Sequence, residues 1–240
     1  AGILRDICMG EGMKASEPRE GKIELTAARE GLLRVDVAGL NRVNGLGEMM
    51  IAARMGGLPV KPGDKLAGTR IIPLVIEKEK MERARAAGEE PLLQILPFKK
   101  MEAGLVTTGN EVYAGLIEDT FSPVIRRKLA EYGCEVTDHV ILDDSPGKIT
   151  DAIRQMLDKG LDMVLCTGGM SVDPDDKTPL AIRNGTDRVV TYGAPVLPGA
   201  MFMLAYSGDG RPVVGLPGCV MYAGRTVFDQ VLPWLLAGVP

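Results

Sequence analysis

Along the second half of the chain, apolar positions alternate between two rhythms. Ala103-Gly-Leu-Val-Thr-Thr108, Cys134-Glu-Val-Thr-Asp-His-Val-Ile-Leu142 and Leu161-Asp-Met-Val-Leu-Cys166 are short runs rich in apolar and β-branched residues, and they read as strands. Between them the period lengthens. In Lys148–Lys159, the residues Ile149, Ile153, Met156 and Leu157 fall on one helical face. Ser122-Pro123 supplies an N-cap and a first-turn proline for a helix Val124–Tyr132, which Gly133 closes. Ser145-Pro146 repeats that start signal, and Gly160 ends the second helix. A short helix at Thr178–Arg183, a strand at Val213–Gly215 and a last helix Met221–Ala237, broken near Pro233, complete the pattern. Strands separated by helices at this spacing predict βαβ units around a mostly parallel sheet, and so a three-layer α/β sandwich over residues 101–240.

The first hundred residues are less regular. Lys22–Ala27 and Gly31–Val35 read as a hairpin. Asn41–Met55, with Val43, Leu46, Met50, Ile51 and Met55, reads as a helix. A turn at Val60–Asp64 precedes a β-type run Arg70–Ile76, and Glu77–Ala87 reads as a charged, solvated helix. This is an α+β accessory module over residues 1–100, smaller than the second domain, with a boundary near Pro97–Met101. It carries no nameable chemistry.

Composition narrows the picture. Charged residues are 25% and hydrophobic ones 45% of the 240 residues, so the chain can bury a core. No apolar stretch approaches the roughly 18–20 residues of a membrane span. The start, Ala1-Gly-Ile-Leu-Arg5, has neither a signal-peptide profile nor an initiator Met, and reads as a processed or truncated beginning. Cys8, Cys134, Cys166 and Cys219 are far apart with no CxxC pair, as expected of reduced thiols in a cytoplasmic protein. The single histidine, His139, excludes multi-histidine metal centres and reads as a satisfied strand residue; the single Trp234 reads as core. Residues 1–100 carry a net charge of +3 and residues 101–240 one of −7. An acidic second half argues against a nucleic-acid surface and suits carboxylates working with a divalent cation.

In doubly wound sheets, ligands bind beyond the carboxyl ends of the strands. Thr107-Thr-Gly-Asn-Glu111 and Glu118-Asp-Thr120 come after the first strand, Asp143-Asp144 after the second, and Thr167-Gly-Gly-Met-Ser-Val-Asp-Pro-Asp-Asp176 after the third. Two further glycine turns, Leu197-Pro-Gly199 and Leu216-Pro-Gly-Cys219, come later. Thirty of the 240 residues are Gly, against a usual roughly 7%, and part of that excess lies in these loops. Small residues there let backbone amides approach an anion, while carboxylates hold a cation that bridges to phosphate oxygens. The combination suits phosphoryl or nucleotidyl chemistry, or binding of a phosphorylated cofactor.

These segments resemble the molybdopterin-binding domain of molybdenum-cofactor biosynthesis proteins, the molybdopterin adenylyltransferases, the molybdotransferases and gephyrin. The family pattern runs Thr-Gly-Asp-Glu, Asp-(Ser/Thr)-Asn, Asp-Asp, Gly-Gly-x-Ser-x-Gly-x-x-Asp, Lys-Pro-Gly-Lys-Pro, Leu-Pro-Gly-Asn-Pro. Its counterparts over residues 103–237 are Thr108-Gly109-Asn110-Glu111, Asp119-Thr120-Phe121, Asp143-Asp144, Gly168–Asp176, Leu197–Met201 and Leu216–Val220, in the same order. Asn110 replaces an Asp, Phe121 an Asn, Asp173 a Gly, Leu197 and Ala200 two lysines, and Cys219-Val220 an Asn-Pro pair, so this is a divergent branch.

The resemblance implies a molybdopterin or adenylated-molybdopterin ligand, with Mg²⁺, ATP and molybdate if adenylyl transfer or metal insertion is catalysed. It implies Gly168, Gly169 and Ser171 at the pterin or its phosphate, and Glu111 and Asp176 as cation ligands or acid/base groups, with Asp144 as a further acid/base candidate. Thr108, Gly109, Asn110, Asp119 and Thr120, and Pro198, Gly199, Leu216, Pro217 and Gly218, would line the pocket. It also implies a homo-oligomer and no nucleic-acid or membrane partner. The alternative, which the missing lysines favour, is a non-catalytic carrier that delivers molybdopterin to a client molybdoenzyme.

Overall fold

A computed structural model describes residues 1–87, 91–173 and 175–239. The chain divides into two units, Lys99–Leu236, and Ala1–Phe98 together with the residues from Ala237 onward. Among the described residues no helix is long and apolar enough to cross a membrane.

In the first unit the elements are α1 (Gly2–Cys8), β1 (Met13–Ala15), β2 (Lys22–Ala27), β3 (Gly31–Val35), α2 (Val37–Asn44), β4 (Met49–Ala53), β5 (Pro59–Val60), β6 (Lys65–Ile71), α3 (Lys78–Ala86) and β7 (Leu93–Leu96). They build a four-stranded sheet in the order β1-β2-β6-β4 and a three-stranded one in the order β5-β3-β7. The expected hairpin is therefore wrong: β2 and β3 are both strands but belong to different sheets. Gly31, Leu32 and Leu33 are buried in succession, so β3 is covered on both faces, and its two edges pair with β5 and β7. The expected helix Asn41–Met55 is also wrong beyond Asn44. There the Asn44 side chain accepts from the Ile51 amide at 2.8 Å and donates to the Ile51 carbonyl at 3.0 Å, which pins a chain reversal into β4. The run Arg70–Ile76 leaves the sheet after Ile71, ahead of Pro73, a residue that cannot donate to a ladder. The charged helix stands as α3, and β7 is a strand the pattern did not reveal.

The second unit comprises β8 (Glu102–Thr108), α4 (Asn110–Tyr113), α5 (Phe121–Ala130), β9 (Glu135–Leu142), α6 (Pro146–Asp158), β10 (Met163–Thr167), α7 (Thr178–Gly185), β11 (Arg188–Tyr192), β12 (Met203–Tyr206), β13 (Pro212–Leu216), a 3-10 turn at Gly218–Met221 and α8 (Val227–Leu236). Its sheet runs β11-β12-β13-β10-β8-β9. The four strands β13, β10, β8 and β9 are parallel, and β12 and β11 extend the sheet antiparallel. This is the expected α/β sandwich, with the β11–β12 extension added. On one face, Ile149, Ile153 and Met156 of α6 and Ala181 and Ile182 of α7 pack on Val106, Val164, Cys166 and Val213; each fully buried aliphatic side chain contributes about 1.5–3 kcal/mol. The opposite face carries α5, with Ile125 and Leu129 buried, and α8 beside it. The two helices are tied by Lys128, whose ammonium donates to Asp229 Oδ1 at 2.5 Å and to the Gly224 carbonyl at 3.1 Å.

Two helix boundaries differ from expectation. Helix α5 starts at Phe121 and is not capped by Ser122; Asp119 Oδ1 instead accepts from the Phe121 and Ser122 amides at 2.9 and 3.1 Å. The last helix begins at Val227, after the separate 3-10 turn, and continues through Pro233 without a break. Trp234 on it is 41% exposed rather than core. All four cysteines are free, with Cys219 the one partly exposed thiol.

Candidate functional site

Strands β8, β9, β10 and β13 all end at one edge of the sheet, and the glycine- and carboxylate-bearing segments lead off from those ends. The tightest is the turn after β10. Gly168 has φ +85°, and a Cβ there would lie 2.0 Å from the Thr108 carbonyl oxygen. Only glycine allows the β10–α7 loop to fold this closely onto the end of β8. Thr108 Oγ1 in turn meets Thr178 Oγ1, at the start of α7, at 3.1 Å. Beyond the glycines the loop is braced from within: the Ser171 amide donates to Asp176 Oδ2, and the Asp173 amide to Ser171 Oγ at 3.2 Å. Tyr192 donates to the Ser171 carbonyl at 3.4 Å, and burial together with the nearby Asp176 keeps its phenol protonated by pushing its pKa up. Thr108, Gly168, Gly169, Ser171 and Asp176 are thus brought together. Pro174 lies outside the described residues.

The loops after β8 and β9 grip each other. The Asn110 amide donates to Asp144 Oδ2 at 3.2 Å, and the Asp144 amide to Asn110 Oδ1 at 3.4 Å. Asp143 faces away into a salt bridge with Lys148 at 2.6 Å. That hydrogen bond, and then the Ser145 amide, hold its carboxyl below the usual range despite desolvation. Glu111 stands on the first turn of the short α4, with its carbonyl accepting from the Leu116 amide at 2.9 Å. Among the described residues, no group of three or more His, Cys, Asp or Glu side chains is placed to hold a metal ion.

On the α5–α8 side, Thr120 Oγ1 meets Met221 Sδ at 3.0 Å, joining the Asp119 loop to the 3-10 turn after β13. The Leu197–Gly199 turn rests on α8. The Val227 amide donates to the Pro198 carbonyl at 3.2 Å, and a Cβ at Gly199 would lie 3.0 Å from Val227. Leu197 itself is 83% exposed. Leu216 is fully buried in β13, so of the Leu216-Pro217-Gly218 segment only the backbone and Gly218 face outward. A Cβ on Gly218 would meet nothing within 4 Å, and this glycine borders open space.

Sequence reasoning missed a polar cluster on the same side. Thr107 Oγ1 and Ser122 Oγ lie 3.0 and 3.1 Å from His139 Nε2, and Asp119 Oδ2 lies 3.5 Å from that nitrogen. All three partners share one imidazole nitrogen, and Ser122 is buried. This is therefore not a nucleophilic triad, in which serine and aspartate engage opposite nitrogens. Burial lowers the His139 pKa from its ordinary 6.5, the Asp119 and Asp138 charges raise it, Arg126 lowers it, and the balance is downward. For Asp119, desolvation is the largest single influence and raises its pKa. The Ser122 hydroxyl, the Ser122 and Phe121 amides and His139 together outweigh that and hold the carboxyl down. The one available signal was the strand alternation, which puts Leu105, Thr107 and the register partner His139 on a common face. Beside them Thr167, the register partner of Thr107, buries a hydroxyl that has no hydrogen-bond partner among the described residues.

Part of the chain matches known proteins. The sequence model of the family described as "Probable molybdopterin binding domain" matches residues 104–237. CinA-like proteins of Mycobacterium avium and Mycobacterium marinum are 33% identical over 94 residues and 38% identical over 76 residues. These matches cover 39% and 32% of this chain but only 22% and 18% of those proteins, so the chain spans about a fifth of the curated relatives it matches. The crystal structure of the molybdopterin biosynthesis enzyme MoaB from Thermus thermophilus superposes with a TM-score of 0.50 at 28% identity, covering 58% of this chain and 98% of that one. With the family model spanning more than half of the chain, and its glycine and carboxylate loops on one sheet edge, the protein belongs to the molybdopterin-binding domain family of molybdenum-cofactor biosynthesis proteins.

Proposed function

We propose that residues 99–236 bind molybdopterin by its phosphate at the carboxyl edge of the sheet. The observation that carries this is the Gly168-Gly169 turn, forced against Thr108 and leading to the start of α7. Backbone amides of small residues, the hydroxyls of Thr108 and Thr178 and the positive end of α7 converge there, an arrangement that receives an anion. Each hydrogen bond to a charged oxygen contributes about 1.5–3 kcal/mol. Asp119 and Thr120, the Pro198-Gly199 turn and Gly218 border the opposite side, where the open space at Gly218 admits a ring system. The orphaned Thr167 hydroxyl fits a site completed by a polar ligand atom.

The fit to Mg²⁺ is of a limited kind. Glu111 and Asp176 would hold it, and two carboxylates match an ion that takes its remaining ligands from phosphate oxygens and water. Bound there, it would neutralise phosphate charge that the acidic loops otherwise repel. Asp176 is already oriented by the Ser171 amide, and Asp144 braces Asn110, so these side chains shape the loops whether or not a cation is present.

Adenylyl transfer with ATP, or metal insertion from molybdate, is the catalytic form of this function. Delivery of bound molybdopterin to a client molybdoenzyme is the second reading, and a specific observation favours it. Leu197, 83% exposed, and Ala200 stand where the family pattern has two lysines, which removes two cations from the ligand edge. Incubating the purified protein with molybdopterin, ATP, Mg²⁺ and molybdate separates the readings. Bound pterin with an adenylated product that disappears in Asp176→Asn supports the enzyme, and tight binding without turnover supports the carrier. Absence of pterin binding overturns both. A homo-oligomer, also proposed from the family likeness, is tested by light scattering on the same sample.

A further inference from the structure

Four polar groups converge on the α5 face of the sheet with no part in the β ladder: Thr107, Asp119, Ser122 and His139. The side chains of His139 and Asp119 are 20% and 12% exposed, and both hydroxyl residues are buried. Asp119 Oδ2 accepts a short hydrogen bond from the Ser122 hydroxyl and faces Thr107 Oγ1 at 3.4 Å, while Oδ1 holds the two first amides of α5. Each hydroxyl has one proton, and an ionised carboxylate only accepts; directing both hydroxyl protons to Asp119 gives that carboxylate the most donors. Their lone pairs then face His139, and in this arrangement Nε2 carries the proton and donates it. A second proton, taken from solvent at Nδ1, makes the ring a cation 3.5 Å from Asp119 Oδ2.

We infer that His139 is a positioning residue for the ligand edge: it holds Asp119 in place through Thr107 and Ser122, and its protonation sets the charge that Asp119 presents to a bound phosphate. This rests on the reading that the Asp119-Thr120 loop borders the molybdopterin site opposite the Gly168-Gly169 turn that receives the phosphate, so that the Asp119 charge acts on the phosphate across the site. The charges around the ring fit such a role. Asp119 faces it from the loop before α5 and Arg126 from α5 itself, with the guanidinium anchored on the Val136 carbonyl at 2.8 Å. Asp138, next on β9, is neutralised by Lys159 of α6 at 2.6 Å. Among the described residues, Asp119 is thus the one carboxylate near the ring that has no cation of its own. At neutral pH the ring is uncharged and Asp119 repels an incoming phosphate. On acidification the imidazolium compensates Asp119, and the repulsion falls. By reciprocity, bound phosphate must raise the affinity of His139 for its proton.

Because the chain has one histidine, its imidazole resonances report this without assignment. The test tracks them from pH 4.5 to 8 in the full chain, free and saturated with molybdopterin, alongside binding titrations across the same range. In the free protein the midpoint lies below 6.5, and Asp119→Asn lowers it further. Saturation raises it by half a unit or more, which corresponds to at least a threefold gain in ligand affinity on protonation. His139→Gln keeps an amide donor near the Nε2 position but cannot titrate. It binds within threefold of the parent at pH 7.5 and loses the part of the pH dependence that belongs to the ring; the phosphate's own titration remains in both proteins and cancels in the comparison. His139→Leu weakens binding at every pH.

Molybdopterin binding with an unmoved histidine midpoint, or His139→Gln retaining the parent's pH slope, overturns the inference and leaves the binding function standing. An Asp119→Asn protein, folded by circular dichroism, whose histidine midpoint is unchanged overturns it without any ligand. Failure of molybdopterin to bind at all overturns the function and the inference built on it.

Discussion

Replacing Gly168 by alanine adds a single methyl group at the most crowded point of the ligand edge. That carbon would sit 2.0 Å from the Thr108 carbonyl oxygen and 2.8 Å from its carbon. Both are backbone atoms of β8, which is held between β9 and β10, so neither can move aside cheaply. Overpacking of this kind costs about 1–3 kcal/mol. The φ of +85° adds roughly 1–2 kcal/mol for any residue with a Cβ. The total is about 2–5 kcal/mol, or a fall of roughly 6–15 °C in the melting temperature of a unit this size. Gly218→Ala is the matched control, since its added carbon meets nothing within 4 Å and its φ is not positive. It should change stability by less than about 1 kcal/mol. Thermal and urea unfolding of both variants, monitored by circular dichroism, decide the matter. If Gly168→Ala melts within about 3 °C of Gly218→Ala, the loop is not forced by packing, and crowding against Thr108 is not why glycine stands at this position.

Three further outcomes are expected. Lys128→Met strands Asp229, which is 16% exposed, and should cost about 3 kcal/mol in urea unfolding, the low end for a broken buried pair because the Thr226 amide and hydroxyl still hold that carboxylate. The depressed His139 pKa means the unfolded chain binds a proton more readily; its stabilising effect is full above pH 6.5 and is lost as pH falls toward the lower folded value. Asp119, also depressed, loses its contribution only below about pH 3.8. His139→Gln should therefore flatten the upper part of the acid unfolding curve and leave the lower part. Burial pushes the Cys8 and Cys166 thiols up to about 12 and raises Cys134, so a disulfide reagent should label one thiol rapidly in the native protein. Cys219→Ser should remove that phase; rapid labelling of two or more thiols would contradict the burial pattern.

The parallel half of the sheet was legible because βαβ units announce themselves locally. Pro146 at the start of α6 and Gly160 after it, with the one-faced run Ile149–Leu157, fix an element within a few residues of its true ends. Where partners are distant the pattern says less. Nothing local distinguishes a hairpin from two strands of different sheets, and β2 and β3 are the latter. Helical spacing in Asn41–Met55 was a coincidence of apolar positions that Asn44, by bonding to Ile51, turns into a reversal. The glycine loops were readable in the same local way, since Gly168 and Gly169 come directly after a strand. His139, Ser122 and Thr107 were not, because they are far apart in sequence and meet only through sheet register. Ser122 in particular looks like a cap, and is instead a buried hydroxyl beneath a cap made by Asp119.

Thr107 and Thr108 are neighbours in sequence, yet one bonds toward α5 and the other toward α7. The sheet therefore divides the ligand edge into two halves. On the α7 half, Gly168, Gly169, Ser171 and Asp176 all match the family pattern, and Asp173 is the one departure. On the α5–α8 half, Asp119, Thr120, Pro198, Gly199, Leu216, Pro217 and Gly218 match it too, but Phe121, Leu197, Ala200, Cys219 and Val220 depart from it. The side-chain hydrogen bonds of Thr107 stay on one face and those of Thr108 on the other, so substitutions on the second half need not disturb the first. A lineage can in this way keep its grip on a phosphate while the specificity for whatever that phosphate is attached to drifts.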